Sequence, residues 1–326
     1  MTLALCFLVS GADVPLPAMW AAWLAEGAAT GASGRNARAR VFVHSAQYAA
    51  TPEARAHPVL SGAATSARFV PWERTCWGQF GIMRAQQRLF EAALAEPDVA
   101  CCVLLSGDCA PLASFKAVYE ALVGGEGGGA GRSLLAVEDG PLNTTHELRE
   151  HSARDLARAA REHSDPAAWP ALWPWRWAVA SQWCALQRSE AELLRARWPI
   201  LEACFDGAHV PDEHAYAVLF RGALGGDAGF DARFKHCSPM LVDWDKAPSA
   251  CLAGLAHANA VRSSPHSFHL ADLSPALVRH ERARGHLFVR KICLAALDKD
   301  RLATEELSDR TWRLPLAAAA AVDAAA

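Results

Sequence analysis

Two uninterrupted apolar runs constrain this chain more than any other feature. Leu3 to Val9 and Val99 to Leu105 are nonpolar throughout, and each closes on a short polar turn, Ser10-Gly11-Ala12-Asp13 and Ser106-Gly107-Asp108. A strand with one solvated face alternates, so a continuous run predicts a strand covered on both faces, as in a parallel sheet layered with helices. Each run is too short to span a membrane as a helix, and Met1 to Ser10 lacks a basic leader, so the first reads as a strand rather than a signal peptide or anchor.

Helical patterns alternate with these strands. Met19 to Glu26 reads as a helix, Ala39 to His44 as a second strand, and Phe69 to Trp72 as extended chain. Gly78 to Ala95 carries Ile82, Ala85, Leu89, Ala92 and Ala93 at helical spacing and stops before Pro97. A helix over 113–122, a Gly-rich loop over 124–131, a strand over 133–137 and a surface helix over 147–163 follow. Alternation of this kind predicts an α/β fold with ligands at the carboxyl ends of the parallel strands. Neither G-x-G-x-x-G nor a Walker loop occurs, which disfavours dinucleotide and P-loop folds. Ser181 to Leu186 reads as a short buried strand carrying Trp183, and Gln187 to Ala196 as a charged helix. Met240 to Trp244 and His286 to Cys293 read as strand ends, 255–260 as a helix piece and Asp272 to Ala283 as a helix with Pro275 in its first turn. The Ala-rich stretch over 313–326 is low in complexity and is assigned no function.

A net charge of −3 and no long basic block argue against a nucleic-acid partner. Twelve Trp against three Tyr is the unusual count. Indoles fill cores, and they also line sugar clefts, where the flat face meets C–H groups. The ten cysteines form no C-x-x-C pair, so a zinc ribbon or thioredoxin-type site is not expected. Asn143-Thr144-Thr145 is a glycosylation sequon that counts only in the secretory pathway.

Pro211-Asp212-Glu213-His214 admits two readings. Pro at the first helical position followed by two acids is a common helix start. Alternatively, Glu213 faces a cleft as a general base, with the helix N-terminus favouring its ionised form.

Several segments in register resemble the core-2/I-branching β-1,6-N-acetylglucosaminyltransferase family, glycosyltransferase family 14, most of all its plant and algal branch. Trp77-Gly78-Gln79-Phe80-Gly81-Ile82 is similar to that branch's Trp-Gly-x-x-x-Met helix start. Val103 to Leu112 resembles its Leu-Leu-Ser turn, Ser181-Gln182-Trp183 its Ser-Gln-Trp segment, and Pro211 to His214 its most specific signature. Val242-Asp243-Trp244 and Leu287 to Lys291 look like its later landmarks.

The resemblance implies a GT-A-type fold, with a Rossmann-like nucleotide-sugar half over 1–140 and an acceptor half over 141–312 forming one domain. It implies an inverting transfer, commonly of N-acetylglucosamine, from a UDP-sugar to a glycan or glycoprotein acceptor, with no metal and no other cofactor. UDP-xylose or UDP-glucuronate as donor, or an inactive glycan-binding relative, are the alternatives. On this pattern Glu213 is the base. Lys291 and Arg262, with Arg290 as the competitor, offset the charge of the leaving diphosphate. Val9, Ser10 and Gly11, His44, and Ser106, Gly107 and Asp108 form the uridine pocket. Trp183, Asp212 and Trp244 face the acceptor, Trp244 being equally readable as a core indole. Departures are Ser45-Ala46 where relatives often carry x-Asp after the histidine, Cys109 in place of an Asp, and Ala180 in place of a Gly. Asp243-Trp244-Asp245 has the form of a metal-binding Asp-x-Asp, but it falls after the Pro-Asp-Glu-His segment rather than closing the nucleotide half. Relatives are Golgi type II membrane proteins, so the Golgi lumen is the expected location.

Overall fold

A computed structural model describes residues 1–29, 38–47, 65–124, 131–138, 178–208, 210–243, 265, 267–268, 272–292 and 313–323. The helices expected over 147–163 and 255–260, the sequon, Arg262 and Trp244 lie outside these residues.

The first apolar run becomes β1 (Thr2–Val9), in the interior of a seven-stranded sheet. It pairs in parallel with β2 (Ala39–Ser45) on one side and β4 (Val99–Ser106) on the other, and β3 (Thr65–Phe69) extends the sheet beyond β2. Beyond β4, β9 (Ala185–Gln187) runs antiparallel, followed by β6 (Ser133–Leu134) and β10 (Phe234–Lys235). The sheet is therefore mixed, with its parallel half built from the earlier chain.

Neighbouring residues on β1 show how the sheet is covered, because side chains alternate between faces. Phe7 meets Trp20 of α1 (Pro17–Ala29) edge-on, with ring centroids 5.0 Å apart. Cys6 approaches the Leu89 carbonyl of α2 (Gly81–Leu94) at 4.0 Å. Helices thus lie on both faces, which is why β1 needs no polar side. Trp20 and Trp23 stack edge-on 5.4 Å apart, and the Trp23 Nε1 donates to the Ala113 carbonyl at 2.8 Å just before α3 (Phe115–Val123). These indoles belong to the core.

The helix expected from Gly78 starts at Gly81, because Gly78 takes φ of 72°, a left-handed conformation that a helix cannot continue. The single strand expected over 133–137 is two short strands in different sheets: β6, and β7 (Val137–Glu138), which pairs with β8 (Val179–Ala180). The strand expected over Ser181–Leu186 begins only at Ala185. Ser181 Oγ accepts the Trp183 N–H at 3.2 Å, a local side-chain bond that competes with ladder pairing. The charged helix is α4 (Arg188–Ala196), and α5 (Trp198–Phe205) follows it.

A second sheet of three short strands orders β11 (Met240–Val242), β12 (Phe288–Arg290) and β5 (Cys109–Pro111). Antiparallel pairing of β12 with β5 sets Arg290 opposite Cys109. The Ala-rich stretch carries a helix, α8 (Arg313–Asp323), against α7 (Pro275–Ala283); the Asp323 carboxylate pairs with Arg282 and accepts the Ser114 N–H at 3.3 Å. Eight cysteines are free thiols among the described residues, six of them buried. No helix there is long and apolar enough to cross a membrane.

Candidate active site

The carboxyl ends of β1, β2 and β4 lie side by side, with Leu8 in register with both His44 and Ser106. The turn after β4 folds tightly over the end of β1. Gly107 donates its N–H to the Leu8 carbonyl at 3.0 Å, and a Cβ there would stand 3.1 Å from Val9 Cγ1, so any side chain at this position would press on the end of β1. Ser45 Oγ donates to the Gly11 carbonyl at 2.7 Å, and Ala46 N–H to the Val9 carbonyl at 2.8 Å. Val9, Gly11, Ser106 and Gly107 therefore share one edge, with Ser10 exposed between the first two.

His44 is at that edge but fully buried. Its Nε2 accepts the Glu73 N–H at 2.9 Å, and burial lowers its pKa to about 4, with the Glu73 charge opposing. The ring is neutral at physiological pH and pins the following loop rather than opening onto a ligand.

Asp108 accepts from Ser106 Oγ, and Arg290 Nε donates to its Oδ1 at 3.4 Å. The Arg290 guanidinium also lies 4.8 Å from the Trp183 ring centroid. Trp183 is only 5 % exposed, so this indole, expected to face an acceptor, is instead enclosed beneath a cation. Lys291 comes next in the chain, and its carbonyl accepts the Phe268 N–H at 2.7 Å. Among the described residues no carboxylate pairs with its ammonium.

Pro211–Glu213 form a single 3-10 turn before α6 (Ala215–Ala223). Val210 enters it at φ of 46°, in the left-handed region that a β-branched residue rarely adopts. Hydrogen bonds hold it there: Val210 N–H donates to the Gly78 carbonyl at 3.1 Å, and Glu213 N–H to the Val210 carbonyl at 3.0 Å. Behind the turn, Tyr216 donates its hydroxyl to Gln86 Oε1 at 2.5 Å, tying α6 to α2.

Asp212 is 6 % exposed, and its Oδ1 is buried without a hydrogen-bond partner. Burial raises its pKa to about 6. Glu213 is raised to about 7, by burial first and by the Asp212 charge second. This reverses the expectation that a helix start would favour ionisation: one tight turn precedes the helix, and desolvation outweighs its dipole. Asp212 is likewise enclosed rather than presented to an acceptor.

A chain of short contacts joins this turn to the carboxyl edge of the sheet. His214 Nδ1 lies 3.2 Å from the Ala178 carbonyl, and Ala178 leads through β8 and Ser181 to Trp183, on which Arg290 rests. A half-buried carboxylate with pKa near neutrality thus connects to a basic strand end and a glycine-tight turn. Among the described residues no His, Cys, Asp and Glu cluster has the form of a metal site, and of Asp243-Trp244-Asp245 only Asp243 is described. Sequence alone makes Trp77 only a family landmark and Trp72 only the end of an extended stretch, and gives neither exposed indole a site role, although Trp77 directly precedes Gly78, which anchors the Glu213 turn.

A helix-covered sheet with several parallel strands ending at one edge is the layout of α/β proteins that take ligands at that edge. Residues 40–278 match the family described as Branch: Core-2/I-Branching enzyme, and the chain belongs to this family of β-1,6-N-acetylglucosaminyltransferases. The family implies a GT-A-like fold, and its members use a UDP-sugar donor without a metal. The match includes Ser106 to Asp108 and Glu213, and it ends before Arg290 and Lys291. No curated protein matches the chain.

Proposed function

We propose that this chain is an inverting, metal-independent transferase that moves N-acetylglucosamine from UDP to a hydroxyl of a glycan or glycoprotein acceptor in the Golgi lumen. The observation that carries the reading is Glu213, a carboxylate with pKa near 7 on a hydrogen-bonded turn linked through Ala178 and Trp183 to Arg290. A base works best when its pKa lies close to the operating pH. Ionised Glu213 takes the acceptor hydroxyl proton as that oxygen attacks the anomeric carbon. The bond from that carbon to the phosphate oxygen breaks, and UDP leaves with the electron pair on the opposite face. Lys291 and Arg290, together with Arg262, offset the charge that develops on the diphosphate. The turns at Val9 to Gly11 and Ser106 to Asp108 cradle the nucleotide, within a nucleotide-sugar half over 1–140 facing an acceptor half over 141–312.

The test is UDP release by the purified chain with UDP-N-acetylglucosamine, UDP-xylose and UDP-glucuronate, with and without EDTA, beside Glu213→Gln. Release with one donor that survives EDTA and is lost in the variant is the expected result. Preference for UDP-xylose or UDP-glucuronate would replace the donor and keep the mechanism. Absence of UDP binding would reduce the chain to a non-catalytic relative.

A further inference from the structure

The large hydrophobic side chains exposed among the described residues are Met1, Trp72 and Trp77, and both indoles belong to the segment between β3 and α2. Trp77 is 79 % exposed and Trp72 40 %. A lone exposed aliphatic residue needs no explanation, but two exposed indoles on one loop do.

This loop is held along its length. At its start Trp72 Nε1 donates to the Ala46 carbonyl at 3.1 Å, and Glu73 N–H donates to His44 Nε2 at 2.9 Å, both at the carboxyl end of β2. The Glu73 carboxylate then accepts Arg88 Nε of α2 at 2.9 Å. Farther on, Gly81 lies so close to Arg74 that a Cβ would come within 2.1 Å of its carbonyl oxygen. At its far end the Gly78 carbonyl accepts the Val210 N–H at 3.1 Å, and the Val210 carbonyl in turn accepts the Glu213 N–H at 3.0 Å. The loop therefore runs from the nucleotide edge to the turn that bears Glu213, and Trp77 stands one residue from the second anchor.

Of the two indoles expected to meet an acceptor, Trp244 lies outside the described residues and Trp183 is enclosed and covered by Arg290. An acceptor sugar beside Glu213 needs a flat, apolar, water-facing surface. Trp supplies one together with an N–H donor, and loses little side-chain freedom when it engages. We propose that Trp77 is the acceptor platform, its indole stacking on a pyranose ring of the acceptor glycan, with Trp72 as a positioning residue that fixes the loop to the nucleotide edge. The proposal rests on the transferase reading of Glu213 and assigns the acceptor contact to a loop outside the Pro-Asp-Glu-His signature.

The test is saturation-transfer NMR on the full chain with methyl β-galactoside, methyl β-N-acetylglucosaminide and methyl α-N-acetylgalactosaminide, each in the presence of UDP. The wild type should transfer saturation to the ring C–H protons of at least one glycoside. Trp77→Ala should lose that transfer, Trp77→Phe should keep part of it, and saturation of the uridine protons should match wild type in both variants. In turnover with an acceptor, Trp77→Ala should raise the acceptor KM far more than it lowers kcat. Undiminished glycoside saturation in Trp77→Ala, with uridine saturation intact, would overturn the platform and leave the indole to a protein partner. No glycoside saturation in the wild type would overturn it too. Loss of uridine saturation in the wild type would bring down the transferase reading instead.

Discussion

Asp212 is the residue whose replacement should most clearly separate stability from function. Its carboxyl is 6 % exposed, with one oxygen unpartnered, and burial raises its pKa to about 6. A folded pKa above the unfolded one means that the native state binds more protons, so stability falls as pH rises between the two values. The penalty is absent below the ordinary aspartate pKa and complete above pH 6. Two pH units correspond to roughly 3 kcal/mol, and a buried amide recovers only part of this because its own N–H groups need partners, leaving a gain of about 2 kcal/mol for Asp212→Asn. Urea unfolding at pH 8 and pH 4 measures it. The variant should be the more stable at pH 8, with the two proteins nearly equal at pH 4. Removing the neighbouring charge should also lower the Glu213 pKa, because that charge is its second cause of elevation. The acid limb of the rate profile then moves to lower pH. A variant less stable than wild type at pH 8, or a gap that does not change with pH, would refute the reasoning.

Further outcomes are expected. With Glu213 at about 7, kcat/KM should rise with pH and level off above neutrality, falling about tenfold for each pH unit well below the pKa. Glu213→Gln should remove that limb along with about 100- to 10,000-fold of the rate, the range of a general base. Lys291→Ala should weaken UDP binding measured by calorimetry roughly 10- to 100-fold, the equivalent of a charge-assisted hydrogen bond of ~1.5–3 kcal/mol. Val210→Gly relieves a left-handed valine worth about 1–2 kcal/mol and adds about 0.5–1 kcal/mol of unfolded-chain entropy. Its urea midpoint should therefore stay near wild type while kcat drops, because the turn carrying Glu213 loosens.

Strands β1, β2 and β4 and helix α2 were legible because long apolar periods report burial directly, whereas β3 was not, its Thr-Ser-Ala-Arg-Phe carrying no apolar run and only Phe69 falling in the stretch read as extended. Leu3 to Val9 and Val99 to Leu105 became β1 and β4 within a residue or so at each end. Ser181 to Cys184 was misread as strand because one serine hydroxyl outbids the ladder, and apolar content does not register that competition. Two strands of the second sheet, β11 and β12, fall where Met240 to Trp244 and His286 to Cys293 read as strand ends, but β5 left no trace: it is three residues long, includes Pro111, and finds its partner far along the chain. In the site, Glu213 and Lys291 could be chosen by motif, yet motif is silent on environment. It gave the Glu213 turn a dipole that favoured charge, whereas desolvation prevails there, and it treated Trp183 as a contact surface although Arg290 covers it. Composition counted twelve Trp without separating Trp20 and Trp23, sealed in the core, from Trp72 and Trp77 in solvent.

The antiparallel seam between β5 and β12 governs the order in which the molecule can come to life. Asp108 and Arg290 meet across a separation of 182 residues. A ribosome that has finished β4 and the turn over Val9 has made the first strands of the sheet, but the cations proposed to meet a diphosphate are still unwritten. Contacts this distant in sequence close late, after local helices and neighbouring strands have formed. A nascent chain can therefore acquire its sheet long before it acquires its chemistry, and a polypeptide cut short ahead of Phe288 could be compact, helix-covered and inert.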